Sequence, residues 1–228
     1  MSKKTQRMLK IRKDKHAINQ IKKIYSIKKN EISFRLKEFE NIWSARNDEE
    51  IFTELAFCIL TPQSKAKSCW DAIVKLKDQN LLLKGNAEQI KQVLNCVRFK
   101  NKKTQYLGNA RKLFMKDGRV SIRPFLNIFA DIYEYREWLV KNIDGIGYKE
   151  ASHFLRNIGL GEKIAILDRH ILRNLNKLGI IEEVPGYISR AKYMAIEEKM
   201  VEFSKQIDIP LSHLDLLFWY KETGEIFK

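Results

Sequence analysis

Residues Asp144–His170 read DGIGYKEASHFLRNIGLGEKIAILDRH. Two glycines stand one residue apart, a lysine follows the second by two positions, and an aspartate directly precedes an arginine and a histidine. The glycines fall between two stretches of helical periodicity, about 125–142 and 148–158. Glycines there permit a tight turn with positive φ and let the backbone approach a partner closely. The second one, Gly147, opens a helix, so the neighbouring N–H groups and the positive end of the helix dipole offer a phosphate site that needs no side chain. Carbonyls of the same turn can hold a monovalent cation that bridges to the phosphate. A helix–turn–helix corner with glycines kept for steric reasons alone explains a bare GxG equally well.

Almost everything around this corner reads as helix. Only four prolines and ten glycines punctuate the 228 residues, and apolar residues recur at spacings of three and four. Ile32, Leu36, Phe39 and Trp43 make one stripe. Asn47 with Glu50 has the form of a capping box before the apolar run Ile51–Leu60, and Asn86 with Gln89 repeats it before Ile90, Val93, Leu94 and Val97. Thr61-Pro62 then ends one helix and starts the next, because proline suits a first helical turn. Further helical patterns cover about 102–116, 169–178, 189–206 and 211–220, and no alternating run argues for a strand. The expected fold class is all-α. Trp43, Trp70 and Trp138 lie on apolar faces and read as packing residues.

With 44% hydrophobic and 11% aromatic residues, a chain of this length can bury a sizeable core, as one large domain or two small ones sharing a cleft. No apolar run reaches the roughly 18 residues of a transmembrane helix, and the basic N-terminus lacks the apolar core of a secretory signal. An intracellular, cytoplasmic protein without a membrane partner is expected. Cys58, Cys69 and Cys96 show no paired short spacing, so they read as core thiols rather than a disulfide framework or a metal site. The net charge is +15, and residues 1–30 carry eleven Lys/Arg against one acid, 11 − 1 = +10. A basic arm on such a body points to a polyanion, most often nucleic acid, although a solvated tail that aids solubility has the same composition. Charge alone supplies salt-sensitive affinity and no chemistry.

The surroundings of the corner narrow the choice. Leu139, Ile143 and Ile146 before the turn, and Ala151, Phe154 and Leu155 after it, give the hairpin its own apolar seam. The pattern L-x-x-x-I-x-G-I-G-x-K-x-A resembles the helix-hairpin-helix of DNA repair enzymes. Lys149 and Asp168 are 168 − 149 = 19 residues apart, as in the DNA glycosylases of that superfamily that carry both. The loop between them has no proline, where the superfamily usually has one.

That resemblance implies cleavage of an N-glycosidic bond through an oxocarbenium-like state at C1′ of the sugar. A carboxylate beside that carbon stabilises the developing positive charge, the role implied for Asp168. Asp168 also stands where it can simply cap the helix beginning at Arg169. A neutral lysine amine can attack C1′ and form a Schiff base, after which the acidified C2′ proton is lost and the strand breaks by β-elimination. Lys149 is implied as this nucleophile, and its place in the first turn of a helix should lower its pKa. His170 matches a position that contacts a DNA phosphate in the superfamily, with Arg169 beside it to assist.

Further blocks, FCILTPQSKA at 57–66, CVRFKNKK at 96–103, ILDRHILR at 166–173 and LSHLDLLFWYKETGEIFK at 211–228, are together similar to the type-2 branch of the 8-oxoguanine DNA glycosylase/AP lyases. The resemblance runs from about Ile32 to Lys228. It implies that Phe99 and Trp219 sandwich the extruded base and that Lys228, at the end of the sequence, reaches into the pocket. 8-Oxoguanine differs from guanine by an oxygen at C8 and a proton at N7, so an acceptor aimed at N7–H favours the lesion. Either a carboxylate or a backbone carbonyl at Lys228 meets that need, while its ammonium can interact near Asp168 or Lys149. Gln63 is implied as the residue that fills the gap left by the flipped nucleotide, against the alternative of a polar residue in the first turn of a helix. The expected partner is double-stranded DNA containing 8-oxoguanine, met by a monomer without a resident cofactor beyond the hairpin cation. Two helical subdomains are implied, 50–160 ending in the hairpin and 1–49 with 161–228, with the active cleft between them. The alternatives are a bifunctional glycosylase for another oxidised base and a non-catalytic hairpin module that only grips DNA.

Overall fold

A computed structural model describes residues 15–45 and 47–228, so the first half of the basic arm lies outside the described residues. The chain runs through α1 (Lys15–Ser44), α2 (Asp48–Leu60), α3 (Ala66–Asp78), α4 (Leu81–Lys84), α5 (Ala87–Val93) and α6 (Lys100–Phe114). A small hairpin of β1 (Met115–Lys116) and β2 (Arg119–Val120) follows, then α7 (Arg123–Leu126), α8 (Ile132–Asn142) and α9 (Tyr148–Asn157). The last helices are α10 (Arg169–Lys177), α11 (Arg190–Ile207) and α12 (Leu211–Thr223). The fold is all-α, and among the described residues the one exception is a ladder of two residue pairs around Asp117-Gly118, both with positive φ. No helix among the described residues is long and apolar enough to cross a membrane.

Local signals place most of these elements. The Asn47 side chain accepts from the N–H groups of Glu49 and Glu50, and three acids fill the first turn of α2, where they suit the dipole. Glu50 does not complete a capping box, because its carboxylate pairs with Lys77 instead. The box at Asn86 and Gln89 does form. Every residue from Ile51 to Leu60 is buried, which marks α2 as a central helix. The helix expected over 125–142 is two helices: Pro124 lies in the first turn of α7, and Asp131 caps α8 by accepting from Tyr133 and Glu134. Nor does Thr61-Pro62 start a helix; residues 61–65 form a turn, and α3 begins at Ala66. Cys58 and Cys69 are core thiols as expected, but Cys96 is exposed.

The apolar core forms two clusters. One gathers α2, α3, α6, α8 and α9, from Ile51 to Ile164. The other joins Ile21, Ile32 and Phe39 of α1 to Ala165–Ile226. Polar bridges tie the two. Arg136 of α8, 1% exposed, donates to both carboxylate oxygens of Glu197 in α11 at 2.6 and 2.8 Å, and Glu197 Oε1 also accepts from Ala165 N. Arg156 of α9 lies 3.3 Å from Asp215 of α12 and stacks over Phe39 of α1. Opening a buried pair of this kind by removing one partner typically costs about 3–5 kcal/mol.

Candidate active site

The turn Ile143–Gly147 joins α8 to α9, and the seam around it is buried as its sequence implies, with Leu139, Ala151, Phe154 and Leu155 wholly enclosed. Gly145 has φ +79°, and a Cβ there would lie 2.5 Å from the Tyr106 ring, so both conformation and space require glycine. Gly147 differs from expectation. Its φ is −101°, open to any residue, and its N–H donates to Glu150 Oε2 at 3.3 Å. A hollow of about 480 Å³ opens beside the turn, lined in part by Asn109, Asn142 and Asp144. No cluster of metal-binding side chains is present among the described residues. A monovalent cation at the turn would rest on backbone carbonyls, and one of them, Ile143 O, accepts only a long 3.3 Å bond from Ile146 N.

Lys149, in the first turn of α9, is partly buried and lies 3.1 Å from Glu150 Oε1. Burial opposes its charge, but the carboxylates of Glu150 and Asp168 outweigh burial and hold the ammonium above its ordinary range. The expected lowering of its pKa is therefore not found in the free protein: two nearby carboxylates outweigh the helix end. Asp168 does cap α10, accepting from Ile171 N at 2.8 Å through Oδ1. That bond engages only one of its two oxygens, so the cap orients the carboxylate without consuming it. Asp215, whose pKa burial pushes up, also feels the Asp168 charge, which places α12 along the same side.

Lys228 comes back to this cluster across the whole chain. Its ammonium pairs with Glu54 of α2, a residue 3% exposed that also accepts from Asn157 at 2.9 Å. The same ammonium stands 3.8 Å from the centre of the Trp70 ring, with Phe39 and Phe57 at 5.9 and 6.0 Å, a cation–π cage. The ammonium thus faces Glu54 rather than Asp168. Phe227 packs edge-on against Phe57, as does His153. His153, one turn after Lys149, is kept neutral by burial and by the charges of Arg156, Lys149 and Lys228, and the Lys228 main chain lies beside its ring. Glu54 and His153 carry no mark in the sequence beyond the (i, i+4) spacing of Lys149 and His153, and Trp70, which reads there as a packing residue, also forms the floor of the Lys228 cage.

Phe99 is 52% exposed with φ +59°, at the N-cap of α6, and the Arg98 guanidinium lies over its ring. Gln63 is exposed with φ +54° in the 61–65 turn, not in a helix. Left-handed conformations of this kind cost about 1–2 kcal/mol per non-glycine residue. The two turns adjoin, since Arg98 N donates to Ser64 Oγ at 3.1 Å. Trp219 meets His170 edge-on at 5.2 Å, and His170 Nδ1 is buried without a hydrogen-bond partner among the described residues. Arg169 is exposed. Lys149, Asp168 and the Lys228 anchor share one cluster, Trp219 is tied to it through His170, and Phe99 and Gln63 stand together on neighbouring turns.

Comparisons with known proteins place the sequence and the fold. The Ogg-HhH family model, described as 8-oxoguanine DNA glycosylase, matches residues 32–209. An 8-oxoguanine DNA glycosylase/AP lyase from Fusobacterium nucleatum is 52% identical over 210 residues, covering 92% of this chain and 97% of that protein. One from Korarchaeum cryptofilum is 42% identical over 197 residues, 86% of this chain and 90% of its own. The crystal structure of the Methanocaldococcus jannaschii 8-oxoguanine glycosylase/lyase in complex with a 15mer DNA containing 8-oxoguanine superposes with a TM-score of 0.82 at 37% identity, covering 92% of this chain and all of that one.

Proposed function

The chain belongs to the 8-oxoguanine DNA glycosylase family, and from that premise we propose that it extrudes 8-oxoguanine from duplex DNA, releases the base and cuts the strand through a lysine Schiff base. Lys149, once neutral, attacks C1′ as the bond to the base breaks, and the departing base carries off the bonding electrons. The Asp168 carboxylate, oriented by its cap on α10, offsets the positive charge that grows at C1′. The opened sugar is then held as an iminium on Lys149, its C2′ proton is lost, and the 3′ phosphate leaves. Phe99 and Trp219 enclose the flipped base, Gln63 faces the vacated position in the stack, and Gly145, Gly147, Arg169 and His170 meet the DNA backbone. A monovalent cation on the hairpin carbonyls would strengthen the same backbone grip.

Lys228 acts at both ends of its side chain in this reading. Glu54 and the Trp70 cage hold the ammonium, so the main chain of Lys228 is fixed beside His153. An acceptor there meets N7–H of the lesion and would face a second acceptor, N7, in normal guanine.

The observation that carries the proposal is that Lys149 stands within electrostatic reach of the Asp168 carboxylate, while Lys149 and the anchored Lys228 both act on His153. Borohydride should trap a covalent adduct between the protein and an 8-oxoguanine duplex. Lys149→Gln should abolish that adduct, and strand cleavage at the wild-type rate in this variant would remove Lys149 from its role.

A further inference from the structure

The Gln63 turn and the Phe99 turn converge on one buried side chain, Lys103. It is 3% exposed although it stands in the first turn of a helix that begins at the surface. Its ammonium donates to Leu60 O at 2.7 Å, to Pro62 O at 2.7 Å and to Ser64 Oγ at 3.0 Å. An ammonium has three donors, and all three are spent on one turn. Its charge also sits at the C-terminal end of α2, where unpaired carbonyls and the dipole favour a cation.

The main chain of the same residue reaches the other turn, because Lys103 N donates to Phe99 O at 3.0 Å. Ser64 closes the circuit by accepting from Lys103 Nζ and from Arg98 N, at 3.0 and 3.1 Å. Gln63 and Phe99, each in a left-handed conformation and each exposed, are the tips of the two turns so joined. Neither conformation is one the residue would choose unaided.

We propose that Lys103 is a positioning residue that locks the Gln63 turn and the Phe99 turn into one unit, setting the distance between the residue offered to the emptied stack and the aromatic offered to the flipped base. It touches neither DNA nor the reacting atoms. The inference rests on the roles proposed above for Gln63 and Phe99. A lock of this kind serves base extrusion and recognition, not the lyase step, since an abasic sugar has no base to seat.

Lys103→Met keeps the length and apolar stem and removes all three donors. It should slow single-turnover release of 8-oxoguanine by about 10- to 100-fold, the scale of a misplacement of about 1 Å. Cleavage of a preformed abasic site in the same duplex should stay within about twofold. Ser64→Ala, which cuts one donor contact and the link to Arg98, should show the same imbalance more weakly and carries the test if the methionine variant does not fold. Equal loss of both activities in a folded variant, or loss of neither, would overturn the proposal. Phe99→Ala and Gln63→Ala run in parallel separate the two layers: normal base release in both would sink the roles of those residues, whereas impaired release in them with normal Lys103→Met would sink the lock alone.

Discussion

Lys149 shows how much its neighbours can change the charge state of a lysine. Its sequence position was legible, because a lysine after a glycine turn with an aspartate 19 residues on is the spacing that the resemblance to the helix-hairpin-helix glycosylases picks out. Its charge state was not, because it depends on Glu150 and on how far Asp168 stands away in the fold. Glu150 holds two partners at once, the ammonium at 3.1 Å and the Gly147 amide at 3.3 Å. Glu150→Gln keeps an acceptor for the amide and removes the charge beside the amine. Because Glu150 and Asp168 raise the Lys149 pKa against burial, loss of one carboxylate moves it down and makes neutral amine available at lower pH. The acidic limb of the single-turnover excision profile should therefore shift to lower pH in this variant. A limb that stays in place would show that Glu150 does not govern deprotonation in the DNA complex. The Lys228–Glu54 pair had no comparable signature in sequence, since its partners are 174 residues apart.

Among the elements, those that announced themselves carried a cap or a turn residue with a physical reason. Asn86 with Gln89 formed its box, and the hairpin glycine Gly145 took the positive φ that its position required. The break between α7 and α8 was missed because Ile128 and Phe129 continue the apolar spacing, yet Ile128 is largely exposed. Asp131 followed by Glu134 is the cap signal that marks the true start, and Glu134 does reach back to Ala130 N at 3.1 Å. Gly159, just past the end of α9, is constrained by a neighbour that the sequence does not show. Its φ is +80°, and a Cβ would lie 2.5 Å from Glu40 Cα in α1. Both conformation and backbone contact oppose a side chain, so Gly159→Ala should lose at least about 2 kcal/mol, or roughly 4–8 °C in Tm for a chain of this size. Calorimetry decides it, and a fall under about 2 °C would show that α1 moves aside without cost.

For the whole molecule, composition indicated charge and helix but not how the two clusters meet. The bridges Arg136–Glu197 and Arg156–Asp215 are visible only once α8, α9, α11 and α12 are packed. The basic arm is the reverse case, obvious in sequence and partly beyond the described residues. Residues 1–14 carry six of the 43 Lys/Arg and one acid, 6 − 1 = +5 of the net +15. Each DNA phosphate neutralised by a cation releases a counterion, so the slope of log affinity against log salt changes by roughly 0.9 per phosphate contact. If the arm lies along the duplex, deleting residues 1–14 should flatten that slope by about 2 or more and weaken binding to damaged and undamaged DNA alike. The preference for 8-oxoguanine over guanine should not change, because phosphate contacts position a protein and do not read a base. Titrations of both duplexes across a salt series measure the slope and the preference together. An unaltered slope would make the arm a solubility tail, and a changed preference would place part of it at the base pocket.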